Sequence, residues 1–208
     1  MIEYLYAFLL WLAVFLPSSS FGSLLAKRGK GLASAGIQGA FLILSLTLIS
    51  LLRIPVSFGL AYLPQSIAIG FSVSLVLSLG ERLLGGKVEM PEFLPDVFLW
   101  RILLLLILAP LAEESLNRAL IEGYLLIHGQ FWGAVGFSAL LFALPHWMAF
   151  EGASPGEKAY ITSGAFLMGL IVGYLFALSG SLLTAFTFHS SANLAGILTG
   201  ELRSERNR

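Results

Sequence analysis

Three short stretches set acid–base side chains into otherwise apolar sequence: Glu113-Glu114-Ser115-Leu116-Asn117-Arg118, Phe142-Ala143-Leu144-Pro145-His146 and His189-Ser190-Ser191-Ala192-Asn193. A charge at bilayer depth costs about 2.5–3.5 kcal/mol even on the lenient insertion scale, so groups of this kind are kept for a partner or a function. On a helix, Glu114, Arg118 and Glu122 form an i, i+4, i+8 stripe with an acid N-terminal to the arginine, the favourable order. Glu114 therefore has a structural partner. Glu113 points about 100° away from that stripe, beside Asn117, and is the acid left free for other work. His189 and Asn193 stand four apart, share one helix face and can aim side-chain donors at a single point.

A carboxylate and an imidazole at one depth suit general-base activation of a water, and a second histidine with an asparagine suits stabilisation of a carbonyl oxyanion. The chain supplies that depth match. A turn is expected near Gly129 and Gln130, where Gly-Gln-Phe-Trp-Gly interrupts an apolar run. Glu113 lies 16.5 residues before its midpoint and His146 lies 16.5 after it. In an antiparallel hairpin both then sit roughly 25 Å from the turn. Pro145 leaves a main-chain carbonyl one turn earlier without its helical partner, a defect tolerated where neighbours or cavity water satisfy it. Together these groups read as the hydrolysis of an amide.

The elements that must position them are membrane helices. The 208 residues are 57% hydrophobic and 12% charged, with a mean hydropathy of +0.88. A soluble domain carries about 25% charged residues, so a water-exposed surface cannot be made. At about 20 apolar residues per crossing the chain has no room for a sizeable soluble domain. Twelve basic residues balance twelve acidic ones, which argues against a nucleic-acid partner. The absence of cysteine removes disulfides, thiolate metal sites and a cysteine nucleophile. Seven spans are expected, at about Tyr4 to Pro17, Leu32 to Leu52, Phe58 to Leu79, Val97 to His128, Trp132 to Phe150, Ala159 to Leu178 and Ser181 to Leu198. Residues 1–208 thus read as one all-α polytopic domain, with 97–198 as the catalytic helices. Span four is too long for one straight crossing, and Pro110, just before the acids, is its natural break. The first run carries Glu3 and no Lys or Arg ahead of its apolar stretch, so it reads as a retained helix rather than a signal peptide. Lys27, Arg28 and Lys30, the Arg82 and Lys87 loop with its acids Glu81, Glu89, Glu92 and Asp96, and the tail arginines 203, 206 and 208 all fall inside if the N-terminus is outside and the C-terminus cytoplasmic.

The three stretches also match, in order, the EExxxR, FxxxH and HxxxN motifs of the CAAX prenyl endopeptidase and bacteriocin-processing family of intramembrane proteases, which this chain resembles over about residues 97–198. The resemblance implies a helix bundle around a hydrated cavity, with Glu113 and His146 activating water and His189 and Asn193 forming the oxyanion hole. It gives Glu114 and Arg118 supporting roles. Phe142, one turn before His146, packs against the imidazole. Where many relatives carry an aromatic before the motif arginine and a glycine after it, this chain has Asn117 and Ala119, which bears on substrate preference more than on catalysis. The expected partners are the lipid bilayer and a membrane-associated protein or peptide substrate, in the cell membrane. No cofactor is expected; HExxH is absent, while a catalytic zinc stays open.

Other polar or small residues read as structural. His128 lies at the proposed turn and suits an interfacial position, and Arg101 snorkels from the start of span four. Gly169 and Gly173 form a GxxxG that lets helices approach inside the bundle. Two rival functions use the same residues: a non-catalytic peptide-binding or immunity protein, and a small proton-coupled transporter, since intramembrane Glu and His also build proton relays.

Overall fold

The computed structural model describes residues 1–83, 94–95, 97–150 and 152–206, the stretch from 200 onward by its backbone alone. Lys87, Glu89, Glu92, Asp96 and Arg208 lie outside the described residues, as do the side chains of Arg203 and Arg206. Seven helices are present among the described residues: α1 Ile2–Ala26, α2 Lys30–Leu52, α3 Leu63–Leu83, α4 over 98–127, α5 Phe131–Ala149, α6 Pro155–Ser179 and α7 Leu182–Arg206. Five of them, α1, α2, α3, α5 and α6, are long and apolar enough to cross a membrane. The other two, α4 and α7, carry the acids, His189 and Asn193. The chain is a multi-pass membrane protein of all-α architecture.

Its cross-section follows the physics of a lipid solvent. Leu9, Leu16, Ile43, Leu46, Ile67, Val76, Leu140, Leu167 and Leu178 are exposed on the outside, while Ser18, Ser45, Ser66, Ser138, Ser181 and Thr184 are buried inside. Lipid tails are as apolar as leucine, so association depends on close packing by small residues and on interhelical hydrogen bonds. The most extensive helix pairs are α3 with α7, α5 with α6, and α1 with α2. A Cβ on Gly70 of α3 would collide with the Phe188 carbonyl oxygen of α7, and Ser66 shares a 2.7 Å hydrogen bond with Thr187 across the same contact.

Three expectations change. The first helix does not end at Pro17; it continues through Pro17 and the three serines to Ala26. With no water to satisfy an opened backbone, helix is retained where an aqueous chain would turn. The third helix starts at Leu63, not Phe58, because Arg53 and Tyr62 take left-handed φ values of 53° and 60°. The intervening strap instead clamps the head of α7. Ser57 N–H donates to the Gly180 carbonyl and Leu182 N–H to the Ser57 carbonyl, both at 2.9 Å. Ser181 Oγ and Thr184 Oγ1 donate to the Gly59 and Ala61 carbonyls at 2.7 and 2.6 Å.

The third change lies in α4, which does not break at Pro110. Two π-helical segments, Leu104–Leu108 and Ser115–Glu122, are spliced into one continuous helix with the α-helical Phe98–Leu103, Ala109–Glu114 and Gly123–Ile127. Proline lacks an N–H, so the Leu106 carbonyl four residues earlier loses its helical donor. Ser190 Oγ of α7 donates to that carbonyl at 2.8 Å, and Asn193 Nδ2 donates to the neighbouring Leu105 carbonyl at 2.8 Å. The irregular turn is thus paired from α7 rather than opened, as π-segments at functional sites often are. The turn after α4 falls where expected, with Gly129 at φ 76°. Helix α6 begins four residues before Ala159, at a capping box in which Glu157 N–H donates to Ser154 Oγ at 3.3 Å and Ser154 N–H to Glu157 Oε2 at 2.9 Å.

Candidate active site

The two adjacent glutamates of α4 diverge as the stripe argument requires. Glu114 is fully buried and accepts from Arg118 Nε at 3.0 Å. Arg118 Nη1 also donates to Glu122 Oε2 at 3.2 Å and to Ser138 Oγ of α5, and Ser138 Oγ donates on to Glu122 Oε2 at 3.0 Å. Arg118 and Glu122 are buried as completely as Glu114. Each charge in the cluster has an opposite partner, as the cost of an unpaired buried charge requires, while Arg118 Nη2 and Glu122 Oε1 have no hydrogen-bond partner among the described residues. The close approach of α6 completes it: a Cβ on Gly173 would lie 2.8 Å from Glu122 Oε2 and 3.2 Å from Arg118 Nη1. Gly169 of the same GxxxG sits against Ala139 of α5, so the motif serves packing within the bundle.

Glu113 keeps 23% of its side chain exposed. Its Oε1 accepts from Gln38 Nε2 of α2 at 2.9 Å, and its main-chain carbonyl accepts from Asn117 Nδ2 at 2.8 Å. Oε2 is open apart from His189, whose Nε2 stands 3.9 Å away. Beyond about 3.5 Å a direct hydrogen bond is excluded, and a water beside the pair can bond to both atoms at once. The other nitrogen of His189, Nδ1, pairs with Glu114 Oε1 at 2.8 Å. One imidazole therefore joins the structural acid to the free one.

The structure brings Glu113 to within 3.9 Å of His189, and among the described residues no hydrogen bond or ion pair joins Glu113 to His146. His146 Nδ1 donates to the Phe142 carbonyl at 3.0 Å, which leaves Nε2 with a lone pair to accept a proton. Phe142 does more than hold that imidazole. Its ring centroid lies 5.0 Å from His146, 5.5 Å edge-on from His189 and 5.4 Å from the Arg118 guanidinium. Asn193 shares the α7 face with His189, as its spacing predicts. One of its two Nδ2 hydrogens is committed to the Leu105 carbonyl, and the other remains to donate.

Gln38 and Ser138, outside the three motif stretches, and Ser190, inside the third but given no role there, belong to this constellation. A signal existed for Gln38, a side-chain amide in the middle of the apolar α2. For the serines none existed, since small polar residues are scattered through every helix. His128 is exposed and bonded to the Tyr124 carbonyl at 2.7 Å, at the end of α4. Arg101 Nε donates to the Pro95 carbonyl at 3.2 Å near the helix start. Among the described residues no group of three or more His, Asp or Glu side chains is placed to hold a metal ion.

Residues 95–195 match the family model of the Rce1-like type II CAAX prenyl endopeptidases. This segment, just under half of the chain, is similar to the CAAX prenyl endopeptidases. No curated protein and no solved structure matches the chain. The matched segment runs from just before α4 to beyond Asn193, and so includes all three motifs and both π-helical segments. It leaves out α1, α2 and α3, and with them Gln38.

Proposed function

We propose that the chain is a glutamate-dependent intramembrane endopeptidase that cuts a peptide bond in a membrane-associated protein or peptide. The observation that carries this reading is the division of labour between adjacent acids: Glu114 is consumed by Arg118 and His189, while Glu113 holds one oxygen in place and keeps the other open toward an imidazole at 3.9 Å. Glu113 takes a proton from water, and the resulting hydroxyl adds to the scissile carbonyl carbon. His146, with its free Nε2, orients that water or shares its proton. The developing oxyanion accepts from Nε2–H of His189 and from the uncommitted N–H of Asn193. For Nε2 to donate, His189 must be protonated on both nitrogens, and Glu114 supplies the counter-charge for that form. Collapse of the intermediate breaks the C–N bond, and the proton held by Glu113 passes to the leaving amine.

No step of this scheme needs a metal, and chelators leave it intact. Of the family's substrates, prenylated tails are the class its name indicates. The geometry described above concerns the scissile bond and not a prenyl group, so the substrate class proposed for this chain is the broader one. The N-terminus is placed outside and the C-terminus in the cytoplasm of the cell membrane, on the positions of Lys27, Arg28, Lys30 and Arg82.

The test compares new protein termini in membranes of cells carrying the wild type, Glu113→Gln or no protein, at equal membrane expression, with and without chelator. Termini that arise with the wild type alone, chelator present or absent, support the reading. A Glu113→Gln protein that yields the same termini, or restores the null phenotype without any Glu113-dependent terminus, overturns it in favour of a binding protein.

A further inference from the structure

A general base must offer a defined oxygen to its water, and a carboxylate on a helix is free to turn about its last bonds unless something holds it. The stripe partners do not hold Glu113, because Arg118 is spent on Glu114 and Glu122. What holds it comes from outside the family-matched segment. Helix α2 packs along both the Ala109–Glu114 and the Ser115–Glu122 stretches of α4 and delivers Gln38 Nε2 to Glu113 Oε1 at 2.9 Å. The opposite oxygen, Oε2, then faces His189. The charged and titratable groups around Glu113 are His189 of α7, His146 of α5, and Glu114 and Arg118 of its own helix.

We propose that Gln38 is a positioning residue for the reaction, the side chain that fixes the rotation of the Glu113 carboxylate and presents Oε2 to the catalytic water. The inference rests on Glu113 being the base. An amide suits the task where a cation does not. A guanidinium or ammonium at this distance would pair with the acid as Arg118 pairs with Glu114, removing it from service. The amide is neutral, so its N–H holds Oε1 without forming an ion pair, and it does so in both protonation states, because the proton taken from water sits on Oε2.

Washed membranes carrying the wild type, Gln38→Leu, Gln38→Glu or Glu113→Gln at equal levels are incubated over a pH series, and the initial rate at which the Glu113-dependent termini appear is followed. Thermal unfolding of each purified protein in detergent checks folding. Gln38→Leu lowers the neutral-pH rate about tenfold and moves the acid side of the rate profile upward by about one pH unit, the effect of losing one hydrogen bond to a charged group. Gln38→Glu moves it further, because two adjacent acids share a proton. Profiles that coincide with the wild type, or that are scaled down without moving, overturn the proposal; if Gln38→Leu fails to fold, the near-isosteric Gln38→Glu decides by the same criterion. Inactive Glu113→Gln with unmoved Gln38 profiles sinks the positioning role alone. Active Glu113→Gln sinks the base and Gln38 with it.

Discussion

His189 on α7 binds Glu114 on α4 through Nδ1 at 2.8 Å, and this contact ties the structural ion cluster to the reactive side of the site. Through it, the acid that neutralises Arg118 also sets which face of the imidazole looks at Glu113. Structure and chemistry are therefore coupled at one atom pair, and substitutions of the two neighbouring glutamates should separate them.

Glu114→Gln keeps the shape and removes the charge. Arg118 loses half of its compensation and His189 loses its counter-ion, so both stability and cleavage fall, the latter about 10²–10³-fold. Glu113→Gln lowers cleavage about 10²–10⁴-fold with little loss of stability, since its carboxylate accepts a single side-chain hydrogen bond, from Gln38. Thermal unfolding in detergent beside the terminus assay distinguishes the two; equal destabilisation by both would contradict the division of roles.

Arg118→Met strands Glu114 and Glu122 in the bundle interior. The expected cost is about 3–5 kcal/mol, the range for breaking a buried pair on one side. A midpoint within error of the wild type would show that the cluster is not held by its arginine.

Gly173→Leu drives a side chain into Glu122 and Arg118, whereas a Cβ on Gly136 meets nothing within 4 Å. The first substitution costs about 1–3 kcal/mol or more and the second, as Gly136→Ala, is tolerated. Comparable behaviour of the two proteins on heating would rule out the tight α4–α6 contact.

The neighbours Ser190 and Asn193 separate helix repair from catalysis. Ser190→Ala leaves the Leu106 carbonyl unpaired, at a cost of about 1–3 kcal/mol in stability, and leaves the rate per folded molecule unchanged. Asn193→Ala adds a barrier of about 2.7–4 kcal/mol, the usual effect of deleting an oxyanion donor. Rates normalised to folded protein decide it; a matching rate loss in Ser190→Ala would assign both residues to the helix alone.

Much of this was legible from spacing. The apolar runs located the seven helices of the described residues, the i, i+4, i+8 rule separated Glu114 from Glu113, and the HxxxN spacing put His189 and Asn193 on one face. What escaped was long-range pairing in a solvent that pairs nothing. Pro110 reads as a break until a donor for the Leu106 carbonyl is found, and that donor is Ser190, 84 residues away. Gln38 lies 75 residues from Glu113 and carries no spacing relation to it. The strap around Ser57 looked like the start of a span because its residues are apolar, although its backbone serves α7. The depth match that pointed Glu113 at His146 located the hairpin, while depth says nothing about rotation around each helix axis, and among the described residues no hydrogen bond or ion pair joins the two.

The most direct test of the account is the rate of a single, identified cleavage. A peptide spanning a Glu113-dependent terminus, incubated with the purified protein in lipid vesicles, is cut by the wild type and by the chelator-treated wild type alike. Glu113→Gln cuts it about 10²–10⁴-fold more slowly, the range for losing a general base, while binding it as tightly. If Glu113→Gln cuts at the wild-type rate, or if the wild type stops in chelator and resumes with zinc, Glu113 is not the base that activates water unaided.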